Sequence, residues 1–121
     1  MKTINIEIAE GPSMLAQGLM YRERLDISSG MLFKFPDITY ASFWGKNTYI
    51  PLDIAFISND GEVVDINNIV PMSTRTIHSS GPCKYALEVN AGVLKENDIG
   101  VGTKIEIDEK NKKINWRKEN A

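Results

Sequence analysis

Ile54-Ala55-Phe56-Ile57-Ser58-Asn59-Asp60-Gly61-Glu62-Val63-Val64-Asp65-Ile66 reads as two β-rich runs folded about a tight turn. Ser58-Asn59-Asp60-Gly61 is a strong hairpin signal, because Gly supplies the positive φ angle such a turn needs. Upstream, Tyr40 to Lys46 reads as a strand. Gly30-Met31-Leu32-Phe33-Lys34-Phe35 reads as a short apolar strand stopped by Pro36-Asp37. Thr3 to Ala9 alternates, with Ile4, Ile6 and Ile8 on one face, the pattern of a half-buried strand. Gly11-Pro12 breaks it, and Ser13 is the expected N-cap of a short helix, Met14-Leu15-Ala16-Gln17, that Gly18 ends.

Downstream, Pro71 to Pro82 is rich in Ser, Thr, Gly and Pro and reads as a long loop. Tyr85 to Val89 is a strand, and Asn90 is the expected cap of a one- to two-turn helix through Val93 to Asn97. Thr103 to Asp108 and Lys113 to Trp116 form a final hairpin around Glu109-Lys110-Asn111-Lys112. The chain is therefore expected to be mainly β, a small barrel or sandwich of about seven to eight short strands with two short helices. No helix is long enough to serve a row of βαβ crossovers. No repeat, heptad or linker appears, so residues 1–121 are read as one domain.

The 121 residues include 42% hydrophobic ones, enough for a core without staples. With 14 basic against 16 acidic residues there is no large single-sign field, and neither nucleic acid nor anionic membrane is the default partner. One cysteine, Cys83, excludes an intramolecular disulfide. The N-terminus alternates like a strand and lacks the apolar run of a signal peptide, and no stretch approaches a membrane span. The expectation is a cytoplasmic protein, or an exported mature form with its leader removed.

Several ordered motifs carry a resemblance: Gly18-Leu19-Met20-x-Arg22, Gly30-Met31-Leu32-Phe33, Phe43-Trp44, Lys46-Asn47-Thr48-x-Ile50-Pro51-Leu52-Asp53, Pro71, Pro82, Leu87-Glu88-Val89, Gly92 and Gly102. In register, they resemble domain-of-unknown-function family 192 over residues 3–108, leaving the hairpin strand and tail, 109–121, outside. The resemblance implies a small, mostly β domain and little about activity. Relatives usually carry methionine before the lysine, where this chain has Gly45, which implies looser local packing.

The polar residues at motif positions are Arg22, Lys46, Asn47, Thr48, Asp53 and Glu88. Arg22 offers a planar fork for carboxylate or phosphate, and Lys46 a point charge. These groups are expected to converge beside Trp44 and Phe43 on a shallow pocket for a small anionic or polar ligand. The competing reading is structural: Arg22 paired with Asp53 or Glu88, Lys46 with another carboxylate, Asn47 and Thr48 bonded to turn backbone. Asp53 with Glu88 as a general acid/base pair is a further alternative.

His78 and Cys83 could form a thiol centre, but a lone cysteine is usually a small hydrophobe. One histidine and one cysteine cannot supply a Cys/His zinc site, no Asp-x-Asp calcium loop occurs, and Gly100-Val101-Gly102 is a turn rather than a phosphate cradle. No metal or cofactor is expected. Met14, Met20, Met31, Leu19, Leu32 and Phe33 read as core, or else as an adaptable groove. The basic tail from Lys110 to Lys118, with Trp116 among its charges, could touch single-stranded nucleic acid, but Trp116 is better read as facing inward. The function expected is a non-catalytic ligand-binding or accessory module. A small hydrolase-like enzyme using the same cluster and a protein-interaction module are the alternatives.

Overall fold

The computed structural model describes residues 2–117; residues 118–121, the end of the basic tail, lie outside them. The described residues form nine strands and two short helices: β1 (Lys2–Ala9), α1 (Pro12–Gln17), β2 (Ser29–Thr39), β3 (Ser42–Phe43), β4 (Leu52–Ile57), β5 (Val63–Ile69), β6 (Ile77–His78), β7 (Cys83–Asn90), α2 (Val93–Glu96), β8 (Ile105–Asp108) and β9 (Lys113–Trp116). The mainly β expectation holds.

Seven strands make one sheet in the order β5-β4-β7-β2-β1-β9-β8. Neighbours run antiparallel except β1 and β2, which are parallel. The sheet curls until its two edges meet at one end. Glu62 bridges Lys104, the Val63 amide donates to the Thr103 carbonyl at 2.9 Å, and the Ile105 amide donates to the Gly61 carbonyl at 2.8 Å. The result is a half-barrel, in which partial closure protects the edges where they touch.

Strand alternation sorts the apolar residues into two cores. Inside the curl lie Ile4, Ile6, Leu32, Ile57, Leu87, Val89, Ile114 and Trp116, plugged by Val93 and Leu94 of α2. On the outer face lie Met31, Phe33, Ile54, Phe56, Cys83 and Ala86, covered by loops that carry Leu19, Ala41 and Ile50. β2, β4 and β7 are thus buried on both sides, which is why they read as near-continuous apolar runs.

Several local expectations need correction. Ile77–His78 pairs with Ser42–Phe43 as a small second sheet, so a strand lies inside the supposed loop, and the strand expected from Tyr40 to Lys46 shortens to two residues. α1 is capped by Gly11 with Pro12 in its first turn, not by Ser13. α2 is capped by Gly92; Asn90 instead donates its amide to the Leu25 carbonyl at 2.6 Å. Met14 is exposed rather than core. Gly45 does not loosen the packing: a Cβ there would fall on the Val70 carbonyl oxygen, so the residue marks a close approach of two backbones. The Asn-Asp-Gly turn forms as read, with Gly61 at φ 87°.

Candidate functional site

The outer face carries the candidate site. Across it, a row of cross-strand neighbours runs Ile54, Glu88, Met31, Glu7 on β4, β7, β2 and β1. Glu88 therefore sits at the centre of the sheet with an apolar side chain on either hand. It is only 5% exposed. Among the described residues no hydrogen bond reaches its carboxyl. Among the described residues no fully enclosed side-chain oxygen or nitrogen is left without a partner, so the Glu88 oxygens open onto a cavity. Burial alone, with no compensating donor, pushes its pKa up to about 8. At neutral pH the group is a carboxylic acid, able to donate one hydrogen bond and accept others.

The cavity measures about 780 Å³, within the range of small-ligand sites. Among the described residues Glu88 is the only carboxylate-bearing one on its lining. One wall comes from α1 and the turn after it, with Leu15, Leu19, Met20 and Tyr21. Another comes from β2, through Phe33 and Phe35, and a third from Ser42 to Thr48. Phe43 locks the aromatic wall, edge-on to Phe33 at 4.9 Å and within 5.9 Å of Phe56. Asn47 joins two walls. Its amide donates to the Tyr21 hydroxyl at 2.9 Å, and its carbonyl accepts from the Tyr21 amide at 2.8 Å. Asn47 lies at φ 57°, a left-handed conformation that Asn tolerates.

The central motif thus has divided duties. Thr48 is buried; its hydroxyl donates to the Lys46 carbonyl at 3.3 Å and its carbonyl accepts from the Met72 amide. Lys46 is exposed at the mouth with its Nζ 5.2 Å from the centre of the Trp44 ring. Among the described residues no carboxylate forms an ion pair with it.

Trp44, Lys46, Asn47, Thr48 and Glu88 are therefore brought together on one cavity, and Arg22 and Asp53 are not. Arg22 makes a bidentate pair with Glu7, Nη2 donating to Oε1 at 3.0 Å and Nη1 to Oε2. That bond holds the Glu7 carboxyl below its ordinary range. Asp53 precedes Ile54 on β4 and so faces the other side of the sheet, where its carboxylate accepts from the Gly92 amide at 2.8 Å. Asp53 and Glu88 cannot act on one substrate.

The thiol alternative also dissolves. Cys83 is fully buried and its pKa is raised by burial, while His78 pairs with Ser42 through Nδ1 at 2.9 Å. Trp116 is buried, donating to the Asn97 carbonyl at 3.0 Å, so its face is closed to a stacking base. Among the described residues no three metal-ligating side chains converge, and no helix is long and apolar enough to cross a membrane.

Sequence reasoning offered Phe33 only as core or as part of an adaptable groove, and singled out neither Phe35 nor the state of Glu88. The available signal was one acid inside the otherwise apolar run Ala86-Leu87-Glu88-Val89, in a strand buried on both faces.

Comparison with known proteins places the chain in a group without assigned chemistry. A protein from Sinorhizobium meliloti 1021, called a candidate transcription regulator, is 42% identical, with 85% of this chain and 81% of that one covered and a TM-score of 0.83. A protein of unknown function from Novosphingobium aromaticivorans DSM 12444 is 36% identical over 85% of this chain and 74% of its own, with a TM-score of 0.82. No curated protein matches. Residues 1–107 match domain-of-unknown-function family 192, described as an uncharacterized ACR, and the chain belongs to that family.

Proposed function

We propose that the protein is a non-catalytic small-ligand-binding or accessory module, with its site in the cavity between Glu88 and the Lys46-Asn47-Thr48 motif. One observation carries the reading: a carboxyl that is 5% exposed and has no hydrogen-bond donor among the described residues opens into an aromatic-walled space. A buried, unpartnered acid weakens the fold, and a bound ligand would supply what the fold withholds.

A hydrolase-like enzyme is the second reading, favoured by the raised pKa of Glu88, which suits a general acid or base near neutral pH. Its titratable partners on the lining would be Lys46, exposed at the mouth, and Tyr21, whose hydroxyl is engaged by Asn47. Among the described residues the lining holds no other carboxylate, no histidine and no cysteine.

A thermal-shift screen of the intact chain against small anions, sugars, nucleotides and amino acids tests the proposal. A ligand at 100 times its Kd stabilises the folded state by about 2.7 kcal/mol, enough to detect. The expected result is a shift that shrinks in Lys46→Ala and in Glu88→Gln. Shifts that survive both substitutions would place binding elsewhere.

A further inference from the structure

Two ionisable groups of opposite sign line the cavity, and among the described residues neither is met by an opposite charge. Glu88 lies at the floor, buried and without a hydrogen-bond partner among the described residues. Lys46 lies at the mouth, exposed, its ammonium over the Trp44 ring rather than beside a carboxylate. Tyr21 is the remaining titratable group on the lining, and its hydroxyl is engaged by Asn47. The residues flanking Glu88 on the adjacent strands, Met31 and Ile54, carry no charge, and Glu7, next along the row, is already held by Arg22.

The walls carry the rings of Phe33, Phe35, Phe43 and Trp44, beside aliphatic side chains and uncharged polar ones such as Gln17 and Ser42. Ring faces attract cations and give nothing to anions. An ammonium reaching the floor would meet those faces and form a charge-assisted hydrogen bond with Glu88, in surroundings that strengthen it. A cation alone would leave Lys46 as a like charge at the mouth. An anion alone would leave the floor unanswered.

We propose that the cavity takes a small zwitterion, with an ammonium seated against Glu88, an acid group facing Lys46, and a short apolar stem lying along Phe43 and Trp44. The assignment rests on the ligand-binding reading above and narrows it to molecules with ammonium and acid at opposite ends, the ω-amino-acid class. When such a ligand binds, the Glu88 carboxylic acid gives its proton to solvent and the carboxylate accepts from the incoming ammonium. Binding therefore releases a proton and tightens as pH rises toward that of the free acid.

Three probes of equal chain length separate the possibilities: ε-aminocaproate, hexylamine and caproate, titrated into the intact chain and followed by two-dimensional amide NMR. The expected result is that ε-aminocaproate binds at least about tenfold tighter than either singly charged probe, a difference of about 1.4 kcal/mol. Its apparent Kd should fall as pH is raised from about 6 to about 8, up to the point at which free Glu88 is half ionised. Glu88→Gln, nearly isosteric, should keep the wild-type amide spectrum and lose about tenfold or more in affinity together with the pH dependence. Lys46→Ala should erase the preference for ε-aminocaproate over hexylamine. Caproate binding as well as ε-aminocaproate would overturn the zwitterion while leaving a ligand site. Failure of all three probes, when another compound class shifts the protein through Glu88 and Lys46, would overturn the zwitterion alone. Absence of any ligand in either experiment would remove both readings.

Discussion

At the scale of the residue, Glu88 is a buried acid without a protein donor among the described residues, and it costs stability. In the unfolded chain it ionises near its ordinary value of 4.5, and in the folded chain near 8. Between those values the unfolded state holds fewer protons, so stability falls as pH rises, by up to about 1.4 kcal/mol per unit, and levels off above about 8. The stabilising contribution of the neutral acid is complete below 4.5. Glu7 has the opposite sign, since Arg22 lowers its pKa, and it acts below 4.5, outside that window. Urea titrations across pH should therefore show a decline in the wild type that Glu88→Gln flattens. Parallel declines in both proteins would mean that another group titrates. Gly45 sets a second expectation. Gly45→Ala must push back the Val70 carbonyl and should cost about 1–3 kcal/mol, read as a drop in Tm. An unchanged Tm would show that the two backbones have room to part. Arg22→Ala removes an exposed pair worth no more than about 1 kcal/mol and should leave ligand binding untouched.

The curl depends, at the scale of the element, on how the two sheet edges meet. Gly61 lies at φ 87°, and a Cβ there would stand 2.5 Å from the Ile105 carbonyl oxygen. Gly61→Ala should part the β5 and β8 edges and raise hydrogen exchange at the Val63 and Ile105 amides, which bridge them. Protection equal to that of the wild type would show that the closure does not depend on this turn. Much of the element map was legible because it rests on local rules. Alternating Ile4, Ile6 and Ile8 identified β1, and the Asn-Asp-Gly turn located the β4–β5 hairpin. The failures were tertiary. Ile77–His78 is a strand only because Ser42–Phe43 lies opposite it, and a two-residue pairing leaves no periodicity to read. Likewise Ser13 and Asn90 are good caps by residue type, yet glycines at Gly11 and Gly92 occupy those positions.

The half-barrel, taken as a whole molecule, needs its last strand. The family match ends at residue 107, but β9 follows, pairs with both β1 and β8, and delivers Ile114 and Trp116 to the inner core. Trp116→Ala should cost about 3–5 kcal/mol in chemical denaturation, whereas a loss under 1 kcal/mol would contradict its core role. The site was legible in part for the same global reason. The sequence run from Trp44 to Thr48 is contiguous, so one loop carries it to the cavity, while Glu88 arrives from a strand far along the chain. Arg22 and Asp53 are charged motif residues too, but the position of Glu7 and the pleat turn them away.

The central claim is that the fold holds a carboxyl neutral and unpartnered at the floor of a cavity. Carboxyl-carbon NMR of the free protein, labelled at glutamate and titrated across pH with Glu88→Gln to identify the resonance, measures it directly. The account predicts a midpoint of about 8 for Glu88. A midpoint near the ordinary 4.5 would mean that water or a protein donor already satisfies the group, and the cavity would be an ordinary wet cleft.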